Sequence, residues 1–388
     1  MTDATSRPRV VLDVGGHGPV HPQARAALLE AIDQGWADPR RLHTEGRRAR
    51  MLLDGARESL AANLGAHPSE LRLAGSHVAA LHAAVRGVTR GRRRVGRNVV
   101  ASAVERAAVL HAAQFVTTDH AANGTTVLVP VDRTGRVAPE QFAARVREDG
   151  VALAALQHAN GEVGTLQPVP EVHAAAREAG VPLLVDAGSS IGQVATPHEW
   201  DLLAGDAGDW GAPIALGVLA VRANVRWAPD WPEDDDLWFP GGVSVPAALA
   251  AAVALDLALS DAATEDAHRR ALVSQIRTEV PLRVRDVEVV GDDEARLPHV
   301  VTFSCLYVDG EALVNELDRA GFAVASGSAC TSSSLEPSHV LAAMGVLTHG
   351  NVRIAVPRRT DAADVARFLD VLPTAVATVR AALGVDGL

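Results

Sequence analysis

The sequence contains no lysine; all 36 of its Lys-or-Arg positions are arginine. No lysine amine is present to form an imine with an aldehyde, so chemistry that begins from such an imine is excluded for its side chains. Cysteine is scarce too. Cys305 and Cys330 are the two present, with no CxxC pair and no Cys/His cluster, which excludes a disulfide framework and a structural zinc site. Long apolar runs are missing: the longest candidate, Val243–Leu259, is interrupted by Pro246 and Asp256, so no membrane-spanning helix and no membrane partner are expected. Met1–Asp13 is polar and carries no apolar signal core, which predicts a cytoplasmic protein. An excess of positive charge is also absent. The net charge of −11 argues against general nucleic-acid binding. Arg86–Arg97 (RGVTRGRRRVGR) runs the other way with six arginines. It reads first as a solvated helix-to-strand loop and second as a site for an acidic partner or RNA.

What is present is ordinary for a globular chain: 388 residues, 48% hydrophobic and 21% charged, enough for one large core and a smaller second one. Helical periodicity runs through Pro22–Gln34 and Arg48–Leu64, with Gly35 and Gly65 as stops. Short apolar strands are predicted at Thr125–Val131, Val151–Gln157, Pro182–Asp186 and Leu216–Val221, with helices at Pro139–Arg147 and Val169–Ala179 between them. Strands alternating with crossover helices imply an α/β fold with a largely parallel sheet covered by helices on both faces. Its ligand site belongs at the carboxyl ends of the strands, where Asn160 and Asp186 fall. From about Asp256 the rhythm changes to helix Glu265–Glu279, strands Val287–Val290 and Val300–Ser304, and helices Glu311–Ala320 and Ala362–Leu383. This predicts a smaller α+β C-terminal domain, with residues 14–255 forming the large domain and 1–13 plus 256–388 the small one. Trp227–Phe239, acidic and holding three of six tryptophans, is expected to pack against the second domain or a second subunit.

The segment Ala325–Leu341, ASGSACTSSSLEPSHVL, resembles the catalytic loop of the cysteine desulfurases of the iron–sulfur-assembly type, which are pyridoxal-phosphate (PLP) enzymes of the class V aminotransferase fold. In that family the loop cysteine takes up sulfur as a persulfide, and Cys330 aligns with it. The resemblance covers almost the whole chain. VLDVGGHGPV (Val11–Val20) looks like the family's N-terminal strand and substrate loop, and QHANGEVGTLQPV (Gln157–Val169) and LLVDAGSSIGQ (Leu183–Gln193) like two cofactor-pocket segments. NVRIAV (Asn351–Val356) resembles the strand whose arginine clamps the substrate carboxylate, here Arg353, a task suited to a guanidinium fork. The other reading of Arg353 is a surface ion pair. Cys305, in a strand pattern, is expected in the core.

The departures from the family pattern fall on one site. In DLLAGDAGDWGAPIALGVLAVR (Asp201–Arg222), Asp209 stands where the resemblance places the PLP lysine, Asp206 replaces its serine and Gly208 its histidine. His77, in Gly75-Ser76-His77, replaces a phosphate-binding threonine, and Gly242 stands at the hydroxyl position of a motif that reaches the partner subunit. Arg106, after Glu105, replaces the histidine that stacks on the cofactor ring. Asp186, the pyridine-nitrogen partner, and Asn160 remain. A phosphate dianion needs N–H and O–H donors and positive charge; Asp206 offers the opposite. The expectation is that no cofactor is bound. Asp186, Asp206 and Asp209 should converge with Arg106, His77 and His17, either as a metal or acid–base site or, the favoured reading, with Arg106 in the ring position paired to Asp186 or Asp209 and no metal.

These readings together predict a degenerate, PLP-independent persulfide carrier using Cys330. The alternatives are a non-catalytic subunit or scaffold paired with an active desulfurase, and a repurposed PLP-free enzyme using the Asp/His/Arg pocket. A homodimer, or a heterodimer with an active desulfurase, and a protein sulfur donor or acceptor are the partners the resemblance implies.

Overall fold

The computed structural model describes residues 8–118, 124–214, 216–229, 242, 244–327 and 337–385. After β1 (Val10–Val11), helices α1 (Pro22–Gln34) and α2 (Thr44–Asn63) precede β2 (Leu71–Ala74), α3 (His77–Gly91), β3 (Asn98–Ser102), α4 (Ala107–Thr118), β4 (Thr126–Val129) and α5 (Pro139–Val146). Then come β5 (Val151–Gln157), α6 (Val169–Glu178), β6 (Leu183–Asp186), β7 (Leu202–Asp206), β8 (Gly217–Val221) and α7 (Val245–Ser260). The remainder holds α8 (Ala262–Arg283), β9 (Val287–Val290), β10 (Val300–Cys305), α9 (Gly310–Arg319), β11 (Phe322–Ala323), α10 (His339–Met344), β12 (Asn351–Ala355) and α11 (Ala362–Ala382).

The large sheet has seven strands in the order β2-β8-β7-β6-β5-β3-β4, parallel except where β8 runs against β7 and β2. Its strands alternate between two apolar layers. Leu73, Val100, Leu156, Val185 and Val218 face α2, α6 and α7, while Val99, Leu153, Leu184 and Leu219 face α3 and α4. Both faces are covered, so the strands are near-continuous apolar runs. The α/β fold with a mostly parallel, helix-flanked sheet is the one expected. α7 is Ala/Val/Leu-rich all round and packs against α1 and α2, the behaviour of a buried helix. No single described helix is long and apolar enough to cross a membrane.

A second, antiparallel sheet, β12-β10-β9, is built after α7. Ile276 of α8, Phe303, Leu313 of α9, Ile354 and Phe368 of α11 share its core. β1 returns to this region by pairing parallel with β11, Val10 opposite Phe322.

Two local expectations change. The rhythm shift set near Asp256 falls at Asp261, because α7 continues to Ser260 before the chain bends by 70° into α8. The Arg86–Arg97 stretch is not all loop: Arg86 and Arg90 lie in α3, arginine being a good helix former. Of the tryptophan-rich segment, Trp227 lies over Gly87 of α3, where an added Cβ would meet its ring at 2.6 Å; Trp231 and Trp238 lie outside the described residues.

Candidate functional site

Two neighbouring strands end in acids. Asp186 is the last residue of β6, opposite Ala204, and Asp206 closes β7 two residues further along. A short 3-10 turn, Ala207–Trp210, carries Asp209 just beyond, with Asp206 Oδ1 capping it from Gly208 N at 3.0 Å. His77 opens α3, whose N-cap Ser76 Oγ accepts from Ala79 N at 3.1 Å. Gly217 lets β8 start against that turn, since a Cβ there would lie 2.3 Å from Ser76 O. Arg106 comes from the turn after β3.

These groups meet at Asp186. Arg106 Nε donates to its Oδ2 at 3.0 Å and Arg106 Nη2 reaches Ser189 Oγ at 3.1 Å. His77 Nε2 lies 3.0 Å from Oδ1, an ion-pair approach in which the N–H is not aimed at the oxygen. Gly188 N donates to the same Oδ1 at 2.9 Å. Gly188 has to be glycine, because a Cβ would sit 2.3 Å from the His77 ring. His77 Nδ1 is 3.9 Å and His17 Nε2 3.7 Å from Asp206 Oδ2. Among the described residues no group of three or more His/Cys/Asp/Glu has metal-binding geometry.

The carboxyls of this cup do not share one state. Burial alone would raise Asp186, but His77 and Arg106 beside it, with the hydrogen bond from Gly188 N, outweigh it and hold the carboxyl below the usual range. Arg106 is raised in turn: burial opposes this, and Asp186, Asp209 and Asp206 overcome it. Asp209 is pushed up to about 8 by burial and then by the Asp206 charge, and its Oδ1 is buried with no partner among the described residues. Glu105, fully buried behind Arg106, also rises to about 8 through burial, although its Oε1 accepts from Gln157 N at 2.7 Å. The cup therefore favours the charged form of Asp186, clamped by Arg106, while burial favours the protonated form of Asp209 and Glu105.

On the other side, Arg353 of β12 is mostly buried and bonds Asp13 Oδ1 at 3.1 Å and Gly15 O at 3.0 Å. It is not a surface residue. Cys330 lies outside the described residues, and so do residues 328–336 around it, but the chain on each side is pinned. Gly327 N donates to Asn351 Oδ1 at 2.5 Å, and Ser338 Oγ to Glu162 Oε2 at 2.9 Å. Glu162 is half-buried, and desolvation of its carboxyl raises it; its Oε1 is buried with no partner among the described residues. Asn160 spends its amide on the backbone, accepting from Glu162 N and Val163 N and donating to Val104 O at 3.2 Å. Gly242 is exposed with φ 73° and makes no described contact with the cup. Glu162, Ser189, Ser338 and Asn351 were not singled out from sequence. All four lie within segments quoted above, but no spacing distinguishes them from other polar residues. Cys305 is fully buried in β10 and burial pushes its thiol up to about 12.

A seven-stranded, mainly parallel sheet with a polar site at its carboxyl edge defines a class. The class-V aminotransferase family matches residues 10–225 and 233–368, and the chain belongs to that family. It is 30% identical over 379 residues to the cysteine desulfurase IscS of Dictyoglomus turgidum, covering 96% of this chain and 95% of the relative. It is 33% identical over 392 residues to the IscS-like cysteine desulfurase of Mycobacterium tuberculosis, covering 97% and 98%. In fold it matches a solved NifS-like protein with a TM-score of 0.87 at 23% identity over 94% of this chain and 98% of the other.

Membership corrects one expectation. That no cofactor is bound does not stand, because the chain belongs to the class-V aminotransferases, the PLP-enzyme fold of the resemblance above, and the relatives it matches are cysteine desulfurases. The side chains nevertheless do not fit PLP in its lysine-linked form. The sequence has no lysine, Asp186 already holds Arg106 and His77, and Asp206 adds negative charge where phosphate donors are needed. No step is derived through the group below.

Proposed function

We propose that this chain is a lysine-less member of the cysteine desulfurase lineage that handles sulfane sulfur through Cys330. The supporting observation is the contrast between its cysteines: Cys305 is sealed in β10 with its thiol pushed to about 12, which leaves Cys330 as the thiol for exchange. The Cys330 thiolate attacks the outer sulfur of a persulfide R–S–SH. The new S–S bond forms as the old one breaks, R–S⁻ leaves, and Cys330 carries the S–SH group with no net oxidation. Arg353 is assigned to a carboxylate on the donor, with Asp13 as the group it exchanges away from. The donor is an active desulfurase, as pairing partner or second protein, or a small persulfide. Residues 14–255 act as the sheet domain, and 1–13 with 256–388 as the domain bearing the loop. Peptide mass spectrometry after incubation with an active desulfurase and cysteine tests this. One added sulfur on Cys330 is expected; an unmodified Cys330, under conditions that label a control desulfurase loop, overturns it.

A further inference from the structure

The arginine-rich end of α3 forms a cavity of about 480 Å³, lined by Arg86, Arg90, Arg93, Arg97 and Phe115 among others. Arg86 and Arg90 are one turn apart on α3, and Arg93 and Arg97 follow in the connection to β3. Phe115 of α4 is 61% exposed, with the Arg86 guanidinium 5.1 Å from its ring centroid. The site lies well away from the carboxylate cup: along α3, Arg86 and Arg90 are about 14 to 20 Å from His77 at the helical rise.

Among the described residues, Arg90, Arg93 and Arg97 have no carboxylate at ion-pair distance, so three neighbouring guanidiniums share one face without an acid, unlike Arg222–Glu70, Arg270–Asp266 and Arg283–Glu279. The charge is felt nearby: burial first, then Arg86, lowers His82. Complementing the dipole at the C-terminus of α3 accounts for one or two of these cations, since that effect fades within a turn. It does not account for Arg90, Arg93 and Arg97 together around a cavity with an exposed aromatic ring at its wall.

We infer that this cavity binds a nucleoside phosphate, with the arginines on the phosphates and Phe115 against the base. Guanidinium forks match phosphate oxygens, and a flat ring packs on the aromatic surface. The volume suits a small ligand. A long nucleic acid is disfavoured, because screening confines the patch's field to about 8 Å at physiological salt and the chain as a whole carries −11. An acidic peptide would use the arginines but leave Phe115 without a role.

Calorimetric titration with ATP, AMP, adenosine, inorganic phosphate, polyglutamate and oligo-dT is the test. Saturable binding is expected for ATP and, more weakly, AMP. Arg90→Ala/Arg93→Ala should weaken ATP binding about tenfold or more while lowering the melting temperature only slightly, through the lost complement to the α3 dipole, since both side chains are exposed and unpaired. Phe115→Ala should weaken ATP several-fold and leave inorganic phosphate unchanged. Absence of saturable ATP binding at millimolar concentration, indifference of ATP to the double substitution, or tighter binding of polyglutamate or oligo-dT than of ATP would each overturn the inference.

Discussion

The two sides of the site use their polar groups in opposite ways. In the cup, Asp186, Arg106, His77 and Ser189 are spent on one another. On the loop side, Glu162, Asn351 and Ser338 pin the chain on either side of the Cys330 segment, and Arg353 sits beside Asp13. The cup resembles a structural ion cluster; on the other side the polar groups hold Gly327 and Ser338 at fixed points of the fold. One half of the site is closed on its own charges, while the other spends its polar groups on fixing the chain.

The largest expected effect separates the cysteines. Cys330→Ser should abolish sulfur labelling, while Cys305→Ser should leave it intact and lower stability by about 1–3 kcal/mol, because a hydroxyl is then buried in β10; labelling and urea unfolding check the pair.

Next, Arg106→Ala should destabilise the fold by about 2–3 kcal/mol. Stranding a buried carboxylate costs roughly 3–5 kcal/mol, reduced here because Arg106 keeps 36% of its side chain accessible. Adding Asp186→Asn should restore part of the loss, and urea unfolding of both variants measures it. If Arg106→Ala is neutral, the cup is not the closed cluster described.

An effect that depends on pH comes next. Asp209 and Glu105 have folded values near 8 against unfolded values near 4. The folded state therefore binds more protons between these limits, and the contribution is full below about pH 4 and lost as pH rises through about 8. Asp209→Asn should flatten that decline, its gain over the parent being larger at pH 9 than at pH 5 by up to about 4 kcal/mol at ~1.4 kcal/mol per pKa unit. Thermal melts across pH read this out; an unchanged slope contradicts the protonated Asp209.

The smallest effect tests Arg353. Arg353→Ala should slow labelling by cysteine persulfide about threefold or more relative to labelling by inorganic polysulfide, the difference of one charge-assisted contact. Equal slowing with both donors would make Arg353 a structural partner of Asp13 only.

Much of the frame was legible in sequence for physical reasons. Pro22 at the first turn and Gly35 at the end delimit α1, and the unbroken apolar run Val151–Gln157 gives β5 to the residue. α2 starts at Thr44, earlier than its apolar periodicity, because His43 caps it by accepting from Gly46 N. The end of α3 was hidden by its arginines, whose charge reads as loop although their helix propensity is good. Within the site, residue types showed that Asp186, Asp206, Asp209, His77 and Arg106 converge only through resemblance to a template. Which acid Arg106 takes, and which acid keeps its proton, depends on separations of an ångström or less that no spacing encodes. Glu162 was not legible at all, since its role arises from Ser338, 176 residues away.

The central claim is that Cys330 carries sulfur supplied as persulfide rather than released by this chain from cysteine. The most direct measurement is the mass of the Cys330 peptide after incubation, with PLP present throughout, with free cysteine alone or with a persulfide donor. The account predicts one added sulfur with the persulfide donor and none with cysteine alone, because no lysine is available to open the reaction. Sulfur on Cys330 from free cysteine alone, or none from the persulfide donor, would contradict it.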